Sequence, residues 1–161
     1  MTSSWDQLRQ TFIDDHQVMI RGYRDMLHAL EQRDLAAAAR LSAKVDAIAG
    51  PHIEFEEQYL YPAVKELRGD AYVSRLYDEH NEVLSVIAAL QTLAEDVVPS
   101  DDEISGWKES LKAGLDHAAA CGSLLSHLQA LPDQQQRDYL DAIGRLRRQG
   151  RRWSEMHEAN N

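Results

Sequence analysis

The chain has 161 residues, the length of one domain. Its 27 acidic against 17 basic side chains leave a net charge of −10, which repels phosphate backbones and argues against a nucleic-acid partner. A hydrophobic share of 43% supports a folded core, and 20 Ala and 19 Leu against 8 Val, 7 Ile and 3 Thr argue against an extensive β-sheet.

Caps and breakers divide the chain into helices. Ser4 with Gln7 predicts the start of a first helix that ends near Glu31, and Leu8, Phe12, Met19, Tyr23 and Leu30 keep the spacing of a buried stripe. Asp34 caps a second helix running to about Leu67, with interruptions expected at Gly50-Pro51 and Pro62. Gly69-Asp70 restarts the chain as a third helix over roughly 70–96. Ser100 and Glu103 form a capping-box pair for a fourth, which continues to Ala130 and is broken by Pro132. Asp133 with Gln136 opens a shorter fifth helix to about Gln149, and residues 150–161 show no periodicity and read as a flexible, solvated tail. Short links force antiparallel neighbours, so the expected fold is all-α: an antiparallel up-down-up-down four-helix bundle with a short C-terminal fifth helix over residues 1–149.

The single cysteine, Cys121, allows no internal disulfide and suits a reducing compartment. No secretory signal is recognisable in the first ten residues, and no stretch approaches the ~20 apolar residues of a membrane span. A cytoplasmic protein without a membrane partner is expected.

Of seven histidines, four fall into register. Residues equally far from the link of a helical hairpin lie at one height. His16 and His52, Glu56 and His80, and His80 and His117 match in this way to within about 5 Å at 1.5 Å rise per residue. Each long helix therefore delivers one histidine to a single layer. His28, His127 and His157 fail the same test and read as surface or ordinary core residues. Four unpaired imidazoles in one core layer would be costly to bury, and a metal ion removes that cost by taking neutral nitrogens as ligands. Glu56, one turn beyond His52, adds an oxygen to the same face, and a His-plus-carboxylate set suits iron, zinc or manganese.

The chain resembles the hemerythrin-like (HHE cation-binding) family over about residues 10–131. The resemblance is carried by Asp15-His16, by the segment HIEFEEQYLYPAV from His52, by Glu79-His80 and by His117. It implies a non-haem di-iron centre between four helices, with His16, His52, His80 and His117 as terminal ligands and Glu56 as a bridging carboxylate. The family's second carboxylate, expected in the fourth helix, is missing: the sequence reads His117-Ala-Ala-Ala-Cys121. Cys121, one turn from His117, is open to three readings: a thiolate ligand, a small buried hydrophobe beside a reduced metal site, or a redox-active thiol. Glu57 and Asp116 lie 100° round from Glu56 and His117 and do not point cleanly inward, and Glu79 and Asp78 are likewise turned away, whereas Tyr23, Tyr59 and Tyr77 lie one or two turns from site residues, as core aromatics or as hydrogen-bond donors to ligands.

The resemblance implies binding or sensing of O2, NO or peroxide. No general base or nucleophile separate from the ligand set is recognisable, so binding or sensing ranks ahead of catalysis. The alternatives are a di-iron enzyme of peroxide detoxification or iron repair, a mononuclear zinc or iron site with a structural role, and an interaction module using the Arg-rich segment 145–152.

Overall fold

The computed structural model describes residues 1–158, and all regular structure among them is helical. Helix α1 spans Ser4–Glu31, α2 Leu35–Phe55, α3 Tyr61–Arg68, α4 Asp70–Gln91, α5 Asp101–Cys121, α6 Asp133–Gln149 and α7 Trp153–Glu158. A π-helical turn, Glu56–Leu60, joins α2 to α3, and a 3₁₀ segment, Leu124–Leu128, follows α5. The chain is a helical bundle: α1 packs against α2 and α5, and α4 packs against the same two, closing a ring around a shared interior.

Local chemistry sets most boundaries where the sequence predicts them. Asp34 accepts from the Ala37 N–H, and Ser100 with Glu103 forms the reciprocal capping box of α5. The cap of α1 is Ser3, one residue before the expected Ser4, and it accepts from the Asp6 N–H. Gly69, with φ +83°, is the one-residue link between α3 and α4, a backbone state that suits a residue without Cβ. Helix α4 stops at Gln91 rather than near 96, because the Thr92 hydroxyl turns back onto the Ala88 carbonyl. The fourth predicted helix also ends early. Beyond Cys121 the hydroxyls of Ser123 and Ser126 take the carbonyls of Ala120 and Ser123, and the chain tightens to a 3₁₀ turn instead of running to Ala130.

Two apolar clusters fill the interior. One holds Met19, Tyr23, Ile53, Val83, Ile87 and Leu111; the other holds Phe12, Phe55, Leu60, Tyr61, Leu76 and Leu124. Along α1 the buried positions run Leu8, Phe12, His16, Met19, Tyr23, Met26 and Leu30, and along α4 they run Val73, Leu76, His80, Val83, Ile87 and Leu90. Each histidine thus occupies a core position of its helical stripe, at the level where one cluster gives way to the other.

Two expectations change here. Helix α2 passes through Gly50-Pro51 without a break, and the irregularity lies five residues later, in the π-turn. The segment expected as a solvated tail is packed. The backbone of Arg151–Trp153 crosses α2 at Gly50 so closely that an added Cβ would stand 2.0 Å from the Arg151 carbonyl oxygen. Trp153 is wholly buried, the Ser154 N–H and hydroxyl both donate to the buried Asp46, and Arg151 pairs with the buried Glu54. The Arg-rich run is therefore partly an ion-pairing strap: Arg151 meets Glu54 of α2 and Arg147 meets Asp15 of α1. Residues 159–161 of the expected tail lie outside the described residues.

Replacing Gly50 by Ala is expected to lift this strap, at a cost of about 1–3 kcal/mol from overpacking. Amide exchange should quicken at residues 153–156 and stay slow at the centre of α1; unchanged protection over 153–156 would show that the close crossing does not hold the segment.

Candidate metal centre

The register argument places His16, His52, His80 and His117 at one level, and the structure brings them together around Glu56. The carboxylate is 1% exposed. Its Oε1 lies 3.4 Å from His16 Nε2 and 3.1 Å from His52 Nε2, and the Cys121 thiol donates to it at 2.9 Å. Its Oε2 lies 3.1 Å from His80 Nε2, and the Tyr61 hydroxyl donates to it at 3.4 Å. His117 Nε2 completes the second side, 3.1 Å from His80 Nε2 and 3.3 Å from the Tyr61 hydroxyl. Glu56 thus faces two donor groups at once: His16, His52 and Cys121 on one oxygen, His80, His117 and Tyr61 around the other.

The outer faces of the imidazoles fix their tautomers. His16 Nδ1 faces the Phe12 carbonyl at 2.9 Å, His52 Nδ1 faces Asp15 at 3.1 Å, His80 Nδ1 faces Glu57 at 2.9 Å, and His117 Nδ1 faces Glu79. Every outer partner is an acceptor, so each Nδ1 carries a proton and each Nε2 turns inward. In neutral rings those four nitrogens are lone pairs, gathered around a carboxylate with too few protons among them. The single Tyr61 hydroxyl proton cannot serve His80, His117 and Glu56 together. Such a donor set fits a cation, and carboxylate-backed histidines are the arrangement that metal ligands use.

Protons stand in that place in the metal-free protein. Burial pushes the His52 pKa down, but the charge of Glu56 and the hydrogen bonds His52 donates to Asp15 and Glu56 outweigh it and raise the value to about 9. His80 is also raised, against burial, by Glu56 and Glu57. Burial and the neighbouring His80 lower His117, so it stays neutral and accepts. Glu56 is held well below the usual carboxylate range, because His52 and the hydrogen bonds of His16 and His80 overcome a large desolvation cost. Burial and the Glu56 charge drive the Cys121 thiol well up, so it is a neutral donor here.

The remaining sequence candidates divide. Glu57 and Glu79 do not point at the centre, as their 100° offsets predict, but they hold His80 and His117 from behind. Asp15, adjacent to His16, does this for His52, and Arg147 of α6 pairs with it in turn. Asp78 and Asp116 are exposed and outside the cluster. Of the tyrosines, Tyr77 donates to the Glu57 carbonyl and Tyr59 stacks on Phe55, while Tyr23 is buried in the adjoining apolar cluster. Tyr61 was not singled out. At 100° per residue it lies about 140° round from Glu56, but the π-turn bonds the Tyr61 N–H to the Glu56 carbonyl and sets the two residues one above the other. The LYP tripeptide is a mark of the position, although its spacing alone does not show where the ring points. His28 is exposed and His127 half-buried, both away from the cluster.

With this geometry established, comparison with known families matches residues 7–129 to the Hemerythrin HHE cation binding domain. Comparison with curated proteins and with solved structures returns no match.

Metal ligation requires neutral imidazole, so a metal bound through His52 would displace its proton. Adding Zn(II) or Fe(II) to the metal-free protein at pH 7 should release at least one proton per chain into a weakly buffered indicator solution. Affinity should climb roughly tenfold per pH unit for each proton displaced, the His52 contribution levelling near pH 9. Without metal the sign reverses: a raised histidine contributes stability below its ordinary value of 6.5 and loses it as the pH rises through about 9. Urea midpoints of the metal-free protein at pH 7 and 9.5 check that half of the argument, the lower midpoint being expected at 9.5.

Proposed function

The chain belongs to the hemerythrin HHE cation-binding family, whose members bind non-haem iron, and from that premise we propose that it holds two iron ions and uses them to bind or sense O2, NO or peroxide. The ligands in this reading are His16, His52, His80 and His117, with Glu56 as the bridge and Cys121 at the place of the missing carboxylate. The observation that carries it is the Glu56 carboxylate itself, buried with three inward nitrogens and a thiol within 3.4 Å of its two oxygens. The up-down-up-down course of the four long helices belongs to the same reading, supported by the three-residue link at 32–34, the one-residue link at Gly69 and the ring of helix contacts.

Iron, when bound, supplies a redox-active Lewis acid that can take a small exogenous ligand. The chain's own residues do the rest. Asp15, Glu57 and Glu79 orient the imidazoles and keep the protons on their outer nitrogens. Tyr61 offers a phenolic oxygen and one proton on the His80–His117 side. Phe12, 4.3 Å and 4.7 Å from the rings of His16 and His52, and Trp153, 5.8 Å from His80, exclude water from the ligand faces. A dry site strengthens every electrostatic contact within it.

A second reading has its own support. His16, Glu56 and Cys121 are all buried and within reach of one ion, and nitrogen, oxygen and sulfur donors together suit a single zinc with a structural role. Metal content per chain with an absorption spectrum of the same sample separates the two. Near two irons, with a spectrum that responds to NO or O2, supports the proposal; one zinc, no colour and a lower melting temperature on chelation supports the other. Glu56→Ala should abolish metal retention in either case. Glu57→Gln should weaken metal affinity about 10–100-fold by freeing the outer face of His80, as measured by competition with a chelator.

A further inference from the structure

Five of the six proposed ligands are sealed: Cys121 and Glu56 are 1% exposed, His52 and His80 2%, His16 7%. Aromatic rings cover their outer sides, Phe12 over His16 and His52, Tyr61 and Trp153 against His80. His117 alone is half-buried, and it opens on a cleft of about 220 Å³ between α4 and the end of α5. Tyr72, Arg75 and Glu79 line one wall, and His117, Ala120 and Cys121 line the other. The cleft follows from the sequence. Residues 118–120 are all alanine and α5 stops at Cys121, so beyond His117 no large side chain of this helix fills the space beside α4.

From this arrangement we infer that the α4–α5 cleft is the doorway by which a small exogenous ligand reaches the metal centre, passing Ala120 to arrive beside His117 and Cys121. The inference rests on the reading of the six residues as a metal site. Its volume sets the class of ligand. At roughly 30 Å³ per water-sized group, the cleft holds about seven such groups, ample room for a linear molecule or anion of two or three heavy atoms that donates a lone pair and too little for a large organic substrate. The rim does not repel an anion. Arg75 is exposed, its guanidinium lies over the Tyr72 ring with Arg68 over the same ring, and the Glu79 carboxylate is engaged by His117 Nδ1.

Ala120 is exposed and lines the cleft; its neighbour Ala119 is exposed and does not line it, which supplies a control of equal bulk. Ala120→Phe, Ala120→Leu and Ala119→Phe are compared with the wild type in two measurements. In the iron-loaded proteins, stopped-flow absorption follows azide and NO. Ala120→Phe is expected to slow both associations at least tenfold and Ala120→Leu less, with iron content and final spectrum unchanged, while Ala119→Phe keeps the wild-type rate. In the metal-free proteins, reaction of the Cys121 thiol with methylmercury should slow in the same order. Wild-type rates for azide and NO in Ala120→Phe overturn the inference even if the thiol is shielded, because the cleft then leads to Cys121 without being the ligand's path. If the wild type holds no metal, the proposed function fails on its own, and a wild-type Cys121 rate in Ala120→Phe separately overturns the cleft as a way in.

Discussion

The buried carboxylate of Glu56 is the constraint around which the rest of the molecule is arranged. An isolated carboxylate at 1% exposure would cost several kcal/mol in desolvation, far more than one helix cap or surface ion pair returns. It is tolerated because four helices each bring one imidazole to its level and a thiol and a phenol supply the remaining contacts. The apolar clusters on either side then act as walls. They keep water from the layer, which raises the cost of any missing partner and the strength of every one that is present.

Satisfying that layer requires support outside it. A histidine turned inward through Nε2 needs an acceptor behind Nδ1, and three of the four have a carboxylate there. Two of these acids stand next to a residue of the cluster: Asp15 precedes His16 and serves His52, while Glu57 follows Glu56 and serves His80. Neighbours in sequence project about 100° apart, so an acid next to an inward-facing residue points along the helix–helix seam, where the ring from the adjacent helix presents its outer nitrogen. The offset that keeps these carboxylates out of the central cluster is what makes them available to its imidazoles.

How much of this was legible depended on whether the helical period held. His16, His52, His80 and His117 were found from distance to the links alone, because α1, α2, α4 and α5 are regular where those residues sit. Tyr61 was missed because it lies beyond a π-turn, where the phase shifts and a residue five positions on returns to the same face. The strap was missed for another reason. Arg147, Arg151 and Arg152 read as a solvated charge run, and the carboxylates that answer two of them, Asp15 and Glu54, lie more than 90 residues earlier with nothing in the local pattern to link them. A buried acid on a helix that also carries ligands is the signal that could have raised the question.

The C-terminal segment also explains why the centre is not symmetric. Residues 133–156 lie beyond the matched span of 7–129, yet Arg147 braces the acid behind His52 and Trp153 closes the face of His80. Among the described residues no comparable element covers His117, where α5 breaks off after three alanines and a cysteine. The donors differ in the same sense, with a polarizable sulfur beside His16 and His52 and a hard phenolic oxygen beside His80 and His117. Ions bound on the two sides of Glu56 would therefore meet unequal chemistry and unequal access. The cleft meets one donor from each side, the half-buried His117 and the buried Cys121, so it opens at the seam between the two halves of one carboxylate, with the less covered imidazole on the side of the harder oxygen donor.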